Sequence, residues 1–346
     1  KRIPFIVTGL SFLIPELTRM QFDNLCLIAT ALVLGGQFSL TEISRMWLKE
    51  KCVSTLSYFL SDAKFSTDEM QHLYALQVLH LYKLEGGYFL IDDTMQHHTN
   101  FCKWIHGVFV LFDHALKTNL KAICLVFLYY TDGESIKLPI TFRIFYKDSN
   151  TMPWQRRKQF THKTKYELAS EMLAWALEEG FPRCLVLADA WFGIEPFIKG
   201  LKRLKLSYVL EIKSSYTVKV ACQKPKLTPT GRLAKKQYDK INLPEFFQSN
   251  LSVSVCGFAA DKERGKEEKV LYQTKIATVK LNAITERHRI VESTDPINHT
   301  TKYLLSDQLT WEAAKILSAY SYRWAIEEFF RNAKQLVDME GATIRS

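Results

Sequence analysis

The sequence predicts an α/β fold, with a helical segment before it and a β-rich insertion inside it. Three observations carry this prediction. Apolar residues recur at helical spacing over residues 1–84, short apolar runs alternate with amphipathic helices over residues 85–212, and period-two patterns dominate residues 213–305. Strands that alternate with helices are typical of a sheet covered by helices on both faces. Residues 306–346 return to a helical pattern and are assigned, with residues 85–212, to one core domain.

The composition excludes several classes of protein. Of 346 residues, 47% are hydrophobic and 24% are charged, the ordinary balance of a globular chain that buries a core. The seven cysteines are scattered without paired spacing, which indicates reduced thiols and excludes a disulfide scaffold. The longest apolar runs, Leu25–Leu34 and Ala122–Tyr130, are about half the ~20 residues of a membrane span, so we expect no membrane partner.

The first 84 residues carry helix signals and one open question. Leu17–Leu34 predicts a helix, and Ser39 followed three residues later by Glu42 has the spacing of a capping box. Short helices joined by tight turns could form a helix-turn-helix, with Thr55–Phe59 as the recognition helix in a DNA groove. The alternative is a helical bundle that only packs against the rest of the chain. The sequence does not separate these two interpretations.

Two predicted strands of the core end in an aspartate. The predicted strands are Tyr88–Ile91, Gly107–Phe112, Ala122–Tyr130, Cys184–Ala188 and Tyr208–Ile212, and the predicted helices are Tyr166–Glu179, Ile194–Leu204 and a helix or helix pair over Thr310–Val337. Asp92 follows the first strand and Asp189 the fourth. Ligands collect at the carboxyl ends of strands in open α/β sheets, and two carboxylates there could hold divalent cations. Helix caps or turn formers are the alternative interpretation of both aspartates.

The basic surplus is confined to one stretch of the chain. The formal net charge is +10, and residues 199–240 contain twelve Lys or Arg against two acidic residues, so this stretch alone carries the surplus. Arg232, Lys235 and Lys236 lie in its Pro- and Gly-containing loop. Such a concentration favours contact with the phosphates of nucleic acid. A solvated surface loop is the alternative.

The last helical stretch carries four functional side-chain types at helical spacing. Tyr320, Arg323, Glu327 and Lys334 are three, four and seven residues apart. On one continuous helix they fall within an arc of roughly 60°, at the margin of the apolar stripe. The alternative interpretation is a surface ion pair between Arg323 and Glu327, which have i,i+4 spacing.

This pattern, Tyr-x2-Arg-x3-Glu-x6-Lys, resembles the signature helix of the DDE transposases of the insertion sequence four family. Ile-Asp92-Asp-Thr94 is similar to the family's first motif, and Leu-Ala-Asp189-Ala-Trp-Phe-Gly193 to its second. The resemblance covers about residues 86–340 and implies a ribonuclease-H-like catalytic core. Asp93 adjoins Asp92 and is the alternative first acidic residue.

The resemblance implies a chemistry and a set of partners. Asp92, Asp189 and Glu327 would be catalytic and would hold two Mg²⁺ (or Mn²⁺) ions for in-line phosphodiester displacement. Tyr320, Arg323 and Lys334 would hold DNA backbone phosphate. The substrates would be transposon terminal inverted repeats and target DNA, bound by a homodimer in the DNA complex. The expected location is the cytoplasm of a prokaryote, in association with the nucleoid.

Two other classes of function remain open in the sequence. One is a domesticated DNA-binding protein without catalysis, and the other is a structure-selective nuclease that lacks strand transfer. A cluster of His97, His98, Cys102 and His106 matches no standard zinc spacing, so we expect no zinc site there.

Overall fold

The structure is a computed structural model of the chain. It describes residues 3–34, 39–45, 52–98, 107–113, 116–147, 162–222, 229–232, 238–248, 254–259, 269–284 and 286–336. Lys235, Lys236, Cys102 and His106 lie outside these ranges.

The N-terminal segment is helical, as predicted. Its helices are α1 Pro4–Gly9, α2 Arg19–Val33, α3 Leu40–Arg45, α4 Val53–Ser61 and α5 Thr67–Leu81, with a 3-10 turn at Ser11–Leu13. The predicted capping box is confirmed, because the Ser39 N–H donates to Glu42 Oε2 at 2.7 Å and the Glu42 N–H donates to Ser39 Oγ at 3.3 Å. The predicted recognition helix is α4, but residues 46–51 before it lie outside the described residues.

One large mixed sheet forms the centre of the molecule. Its strands are β1 Tyr88–His98, β2 Phe109–Asp113, β3 Thr118–Thr131, β4 Lys137–Phe145, β5 Leu185–Ala188, β6 Tyr208–Ile212, β9 Ser254–Ala259, β10 Lys269–Lys280, β11 Arg287–Thr294 and β12 Thr301–Ser306. They lie in the order β2-β3-β1-β5-β6-β12-β11-β10-β9, and β4 also pairs with β3. Only β1, β5 and β6 pair in parallel, and all the other described pairs are antiparallel. A separate two-stranded sheet joins β7 Thr217–Ala221 to β8 Tyr238–Asn242.

Helices cover both faces of the large sheet. They are α6 Lys165–Glu178, α7 Glu195–Arg203, α8 Leu243–Gln248, α9 Ala313–Ser321 and α10 Trp324–Leu336. Phe89 and Ile91 of β1 pack into the core shared with α5, α6, α7 and α8, whereas Leu90 packs into the core shared with α9 and α10. This alternation is the period-two pattern of a strand buried on both faces. The α/β fold class with a ribonuclease-H-like arrangement is therefore confirmed.

Strand β4 was not predicted from the sequence. Pro139 lies inside it, and a proline removes one ladder hydrogen bond and weakens a strand signal. β4 tolerates the proline because it pairs only with β3, and the register shifts between Leu128 and Tyr129, opposite the proline. An edge position and a bulge are the two places where a sheet accepts proline.

The prediction that the first strand ends at Asp92 was wrong. β1 continues to His98 and pairs with β3 along its whole length, up to the pair His98–Lys121. Its parallel pairing with β5 does stop at the pair Ile91–Ala188. The apolar run therefore marks the part of β1 that is flanked by strands on both sides, and the strand itself is longer.

The strands of residues 254–306 continue the core sheet. β12 pairs with β6 from Tyr303–Ile212 to Ser306–Val209, and β11, β10 and β9 follow in order. The predicted boundary of the insertion at residues 213 and 305 stays a prediction, although its strands share one sheet with β1, β5 and β6. Among the described residues, no helix combines the length and apolar character needed to cross a membrane.

Candidate active site

Three acidic residues lie in one row across the parallel strands. Ile91 pairs with Ala188, and Ala188 pairs with Leu210, so the next residues along the three strands are Asp92, Asp189 and Glu211. Parallel strands bring their carboxyl ends to the same edge of a sheet, which explains why separate segments meet here. The sequence predicted the first two residues of this row, and it did not predict Glu211.

Asp92 is partly buried on the α9–α10 face of β1. Its side chain is 15% exposed, and its Oδ2 accepts a hydrogen bond from Arg323 Nη1 at 2.8 Å. The pKa of Asp92 is raised to about 7, chiefly by burial, while Arg323 opposes the rise and the negative charges of Asp189 and Asp93 add to it. A carboxylate in this position favours a nearby cation.

Asp93 points to the opposite face of the same strand. Its Oδ2 lies 2.8 Å from Lys165 Nζ at the start of α6, and both side chains are about 15% exposed. The Cys124 thiol donates to the same oxygen at 3.4 Å. The two neighbouring aspartates thus have separate cations, and only Asp92 lies on the side of Glu327. This geometry supports Asp92 over Asp93 as the first acidic residue, which remains a prediction.

The segment after β5 fixes Asp189. The Trp191 N–H donates to Asp189 Oδ1 at 3.0 Å, and the Phe192 and Gly193 N–H groups donate to the Asp189 carbonyl. Phe192 is fully buried, and a Cβ at Gly193 would lie 2.0 Å from the Glu211 carbonyl oxygen. Only glycine permits this close approach of the loop to β6. Burial raises the pKa of Asp189, against the opposing effect of Arg323.

The sequence predicts one continuous helix for the four signature residues. The structure contradicts this prediction, because the helix is divided in two. α9 ends at Ser321, and α10 begins at Trp324. The N–H groups of Arg323 and Ile326 donate to the carbonyls of Tyr320 and Arg323, three residues back instead of four. This tighter turn separates Tyr320 on α9 from Glu327 and Lys334 on α10, with Arg323 between the two helices.

Arg323 forms hydrogen bonds to both Asp92 and Glu327. Besides its bond to Asp92, it donates through Nη2 to Glu327 Oε1, and its guanidinium lies 5.6 Å from the centre of the Tyr320 ring. The Arg323 side chain is 12% exposed, and that of Glu327 is 29% exposed. These carboxylates and the Tyr320 ring raise the pKa of Arg323, whereas burial alone would lower it. Arg323 therefore stays charged and holds α10 to β1.

Tyr320 and Glu211 form a second link between α9 and the sheet. The Tyr320 hydroxyl donates to Glu211 Oε2 at 2.9 Å, and Lys302 Nζ lies 3.2 Å from the same oxygen. Burial raises the pKa of Tyr320 well above its usual range. The predicted contact of Tyr320 with a DNA phosphate would require this hydrogen bond to break. The sequence does contain a signal for Glu211, since an acidic residue inside an apolar strand repeats the pattern of Asp92 and Asp189.

The remaining predicted residues are on α10, in the basic stretch and in the His/Cys cluster. Lys334 is half-buried on α10, about two turns beyond Glu327. Arg232 is exposed in a short described segment of the basic stretch. Lys235 and Lys236, which are predicted to bind DNA together with it, lie outside the described residues. In the His/Cys cluster, His97 Nε2 lies 2.8 Å from Asp113 Oδ2.

A family model described as DDE superfamily endonuclease matches residues 13–270, which is about three quarters of the chain. The chain belongs to the DDE superfamily endonucleases. The match includes Asp92 and Asp189 and ends before Glu327, so the geometry around Arg323 is what connects Glu327 to them. No curated protein matches the chain.

The acidic residues of this DDE endonuclease fit a hard divalent cation by their chemistry. Carboxylate oxygens are the ligands that Mg²⁺ and Mn²⁺ prefer, and the partly buried row of acids needs compensating positive charge. Arg323 supplies that charge between Asp92 and Glu327. Within the described part of the chain, no three His, Cys, Asp or Glu side chains are gathered as a metal-binding group.

Proposed function

We propose that this DDE superfamily endonuclease is a DNA transposase similar to those of the insertion sequence four family. It would cut transposon ends and transfer the 3′-OH strands to target DNA. One observation carries the proposal. Asp92 and Asp189 lie side by side on parallel strands, and Arg323 connects Asp92 to Glu327 of the signature segment.

The three acidic side chains would form the catalytic centre. Asp92, Asp189 and Glu327 would hold two Mg²⁺ (or Mn²⁺) ions, which when bound activate an attacking oxygen and stabilise a leaving one. The protein's own contribution is the position of the carboxylates, since β1 and β5 fix two of them and α10 supplies the third. A cation bound by Asp92 or Glu327 would compete with Arg323 for the carboxylate oxygens, and a DNA phosphate would be a further partner for its guanidinium.

The basic residues would position the DNA. Arg323 and Lys334 would contact phosphates next to the scissile bond, with Tyr320 as a further contact. Arg232, Lys235 and Lys236 would bind the backbone farther from the acidic residues, where they add affinity without sequence preference. Inverted repeats occur in pairs, so we propose a homodimer in the DNA complex.

Cleavage and strand mapping test this proposal. The protein is incubated with Mg²⁺ and duplexes that carry the inverted repeats flanking its gene, together with a supercoiled plasmid as target. The proposal expects a cut at the repeat end, a free 3′-OH, and joining of that end to the plasmid. Cleavage without joining would instead identify a structure-selective nuclease. Binding of the repeats without any cleavage would identify a DNA-binding protein.

A further inference from the structure

A largely enclosed lysine lies at the start of α6, on the face of the sheet to which Asp93 points. Lys165 is the first residue of α6, and its side chain is 14% exposed. A capping box fixes this turn, because the Thr164 N–H donates to Glu167 Oε2 at 2.7 Å and the Glu167 N–H donates to Thr164 Oγ1 at 3.4 Å. A cation at a helix N-terminus opposes the helix macrodipole, so α6 itself gives no reason for a lysine here.

The ammonium of Lys165 is surrounded by groups from other elements. Its Nζ lies 2.8 Å from Asp93 Oδ2 on β1, and the Cys124 thiol on β3 donates to the same oxygen. Two aromatic rings attract the ammonium, since Nζ lies 5.3 Å from the centre of the Trp191 ring and 5.7 Å from that of Phe145 on β4. Burial alone would lower the pKa of Lys165, but the negative charge of Asp93 outweighs burial and raises it. Lys165 therefore stays charged.

Two of these neighbours also hold the aspartates of the acidic row. The Asp93 N–H donates to Asp92 Oδ1 at 2.8 Å, and the Trp191 N–H donates to Asp189 Oδ1 at 3.0 Å. Among the described contacts, Lys165 forms no ion pair with Asp92 or Asp189 themselves. One ammonium thus contacts the side chains of the two residues whose backbone N–H groups orient the two carboxylates.

We propose that Lys165 is a positioning residue, which fixes the carboxylates of Asp92 and Asp189 for cation binding through Asp93 and Trp191. The inference rests on the proposed function, because it assigns both aspartates to a divalent cation. Replacement of a residue that orients metal ligands typically weakens metal affinity by about 10- to 100-fold. Lys165 acts without touching the cation, and in this it differs from Arg323, which donates to Asp92 directly.

The charge of Lys165 by itself would have the opposite effect. An ammonium near the acidic row repels a divalent cation, so loss of the charge alone should strengthen cation binding, whereas loss of positioning should weaken it. The double variant Lys165→Met with Asp93→Asn separates the two effects, because it leaves the net charge of the site unchanged. It also leaves no enclosed carboxylate without its partner, so it should fold even if Lys165→Met does not.

Mn²⁺ binding in the absence of DNA tests the inference. The free ion is measured by electron paramagnetic resonance, and urea denaturation establishes that each variant is folded. Asp189→Asn defines the part of the binding that depends on the acidic row. The double variant should bind Mn²⁺ about 10- to 100-fold more weakly than the wild-type protein. Lys165→Met, where it folds, should also bind more weakly, although the site gains a negative charge.

Lys163→Met is the matched control. Lys163 lies 2.8 Å from Glu171, and their side chains are 42% and 48% exposed, so this variant removes a nearby charge without reaching the aspartates. It should bind Mn²⁺ like the wild-type protein. Wild-type affinity in the folded double variant, or unchanged or tighter binding by Lys165→Met, would overturn the positioning role and leave the proposed function standing. Wild-type protein without Asp189-dependent Mn²⁺ binding would overturn the proposed catalytic centre and the inference together.

Discussion

At the scale of single residues, we expect Arg323 to make a large contribution to the stability of the site. It lies largely enclosed between Asp92 and Glu327, and removal of one partner of such an ion pair leaves the others uncompensated. We expect Arg323→Ala to lower the free energy of unfolding by about 3–5 kcal/mol, measured by urea denaturation. Arg323→Lys should recover only part of this loss, because a single ammonium cannot donate to both carboxylates in the same fork geometry.

A surface ion pair between β4 and α10 gives the matched control. Lys137 and Glu328 lie 2.9 Å apart, but their side chains are 43% and 56% exposed. Lys137→Ala should therefore cost less than about 1 kcal/mol. If Arg323→Ala costs no more than this control, Arg323 is not the link between β1 and α10.

His288 predicts a specific dependence of stability on pH. It is 1% exposed, its Nδ1–H donates to the Glu286 carbonyl, and the Tyr208 hydroxyl donates to its Nε2 at 2.7 Å. Burial lowers the pKa of His288, so the folded state favours the neutral ring. Its contribution to stability is complete above the pKa of the unfolded chain, about 6.5, and is lost as the pH falls below that value.

Thermal unfolding at pH 8 and pH 5 measures this contribution. His288→Gln should lower the stability at pH 8 but lose less on acidification than the wild-type protein, by on the order of 2 °C for each kcal/mol of proton linkage. His80→Gln, at an exposed position on α5, should leave the wild-type pH dependence unchanged. A wild-type pH dependence in His288→Gln would contradict the assignment.

At the scale of elements, the segment after β5 explains why the motif around Asp189 has a glycine at position 193. Gly193 touches the backbone of β6, so Gly193→Ala must displace the loop that holds Asp189 and Trp191. We expect a loss of about 1–3 kcal/mol in unfolding free energy, together with loss of DNA cleavage. Gly86→Ala is the control, because a Cβ there meets no atom within 4 Å. Equal stability of the two variants would show that the loop adapts.

The elements also show what sequence patterns can predict. The parallel strands at Leu185–Ala188 and Tyr208–Ile212 were predictable because they are apolar on both faces. Edge strand β4 was not, because its proline and its bulge break the expected alternation. The break between α9 and α10 was also hidden, since no Pro or Gly lies between Ser321 and Trp324 and tertiary contacts of Arg323 favour the turn.

Sequence patterns also predict only part of the candidate active site. Asp92 and Asp189 follow apolar runs, which the eye detects in the sequence, and Glu327 belongs to a recognisable spacing. Their partners are different, because Lys165 is identified only when the packing of α6 is known. Glu211 has a signal in the sequence, but its contact with Tyr320 is identified only from the packing of α9. Local patterns predict strand ends, whereas long-range pairing decides which charges meet.

At the scale of the whole molecule, the concentrated basic stretch predicts a strong dependence of DNA binding on salt. Joint neutralisation of Arg232, Lys235 and Lys236 should reduce the slope of log affinity against log salt by up to about 2.7, since each lost phosphate contact contributes about 0.9. The measurement is a titration of duplex DNA by fluorescence anisotropy between low and high salt.

A variant with the same change in net charge provides the control. Lys83, Lys280 and Lys315 are exposed and lie outside the basic stretch, so their joint replacement by alanine should change the slope much less. Equal slopes for the two triple variants would show that only the net charge of the protein matters, and the basic stretch would then be an ordinary solvated surface.

The central claim is that Asp189 acts in catalysis beside Asp92 and not in DNA binding. The direct measurement compares the Mg²⁺-dependent cleavage rate and the DNA affinity of Asp189→Asn with those of Asp68→Asn, an exposed control on α5. Asn keeps the acceptor for the Trp191 N–H, so the loop should stay in place. The account predicts that Asp189→Asn abolishes cleavage with nearly unchanged affinity, whereas Asp68→Asn matches the wild-type protein. Cleavage by Asp189→Asn at the wild-type rate would contradict it.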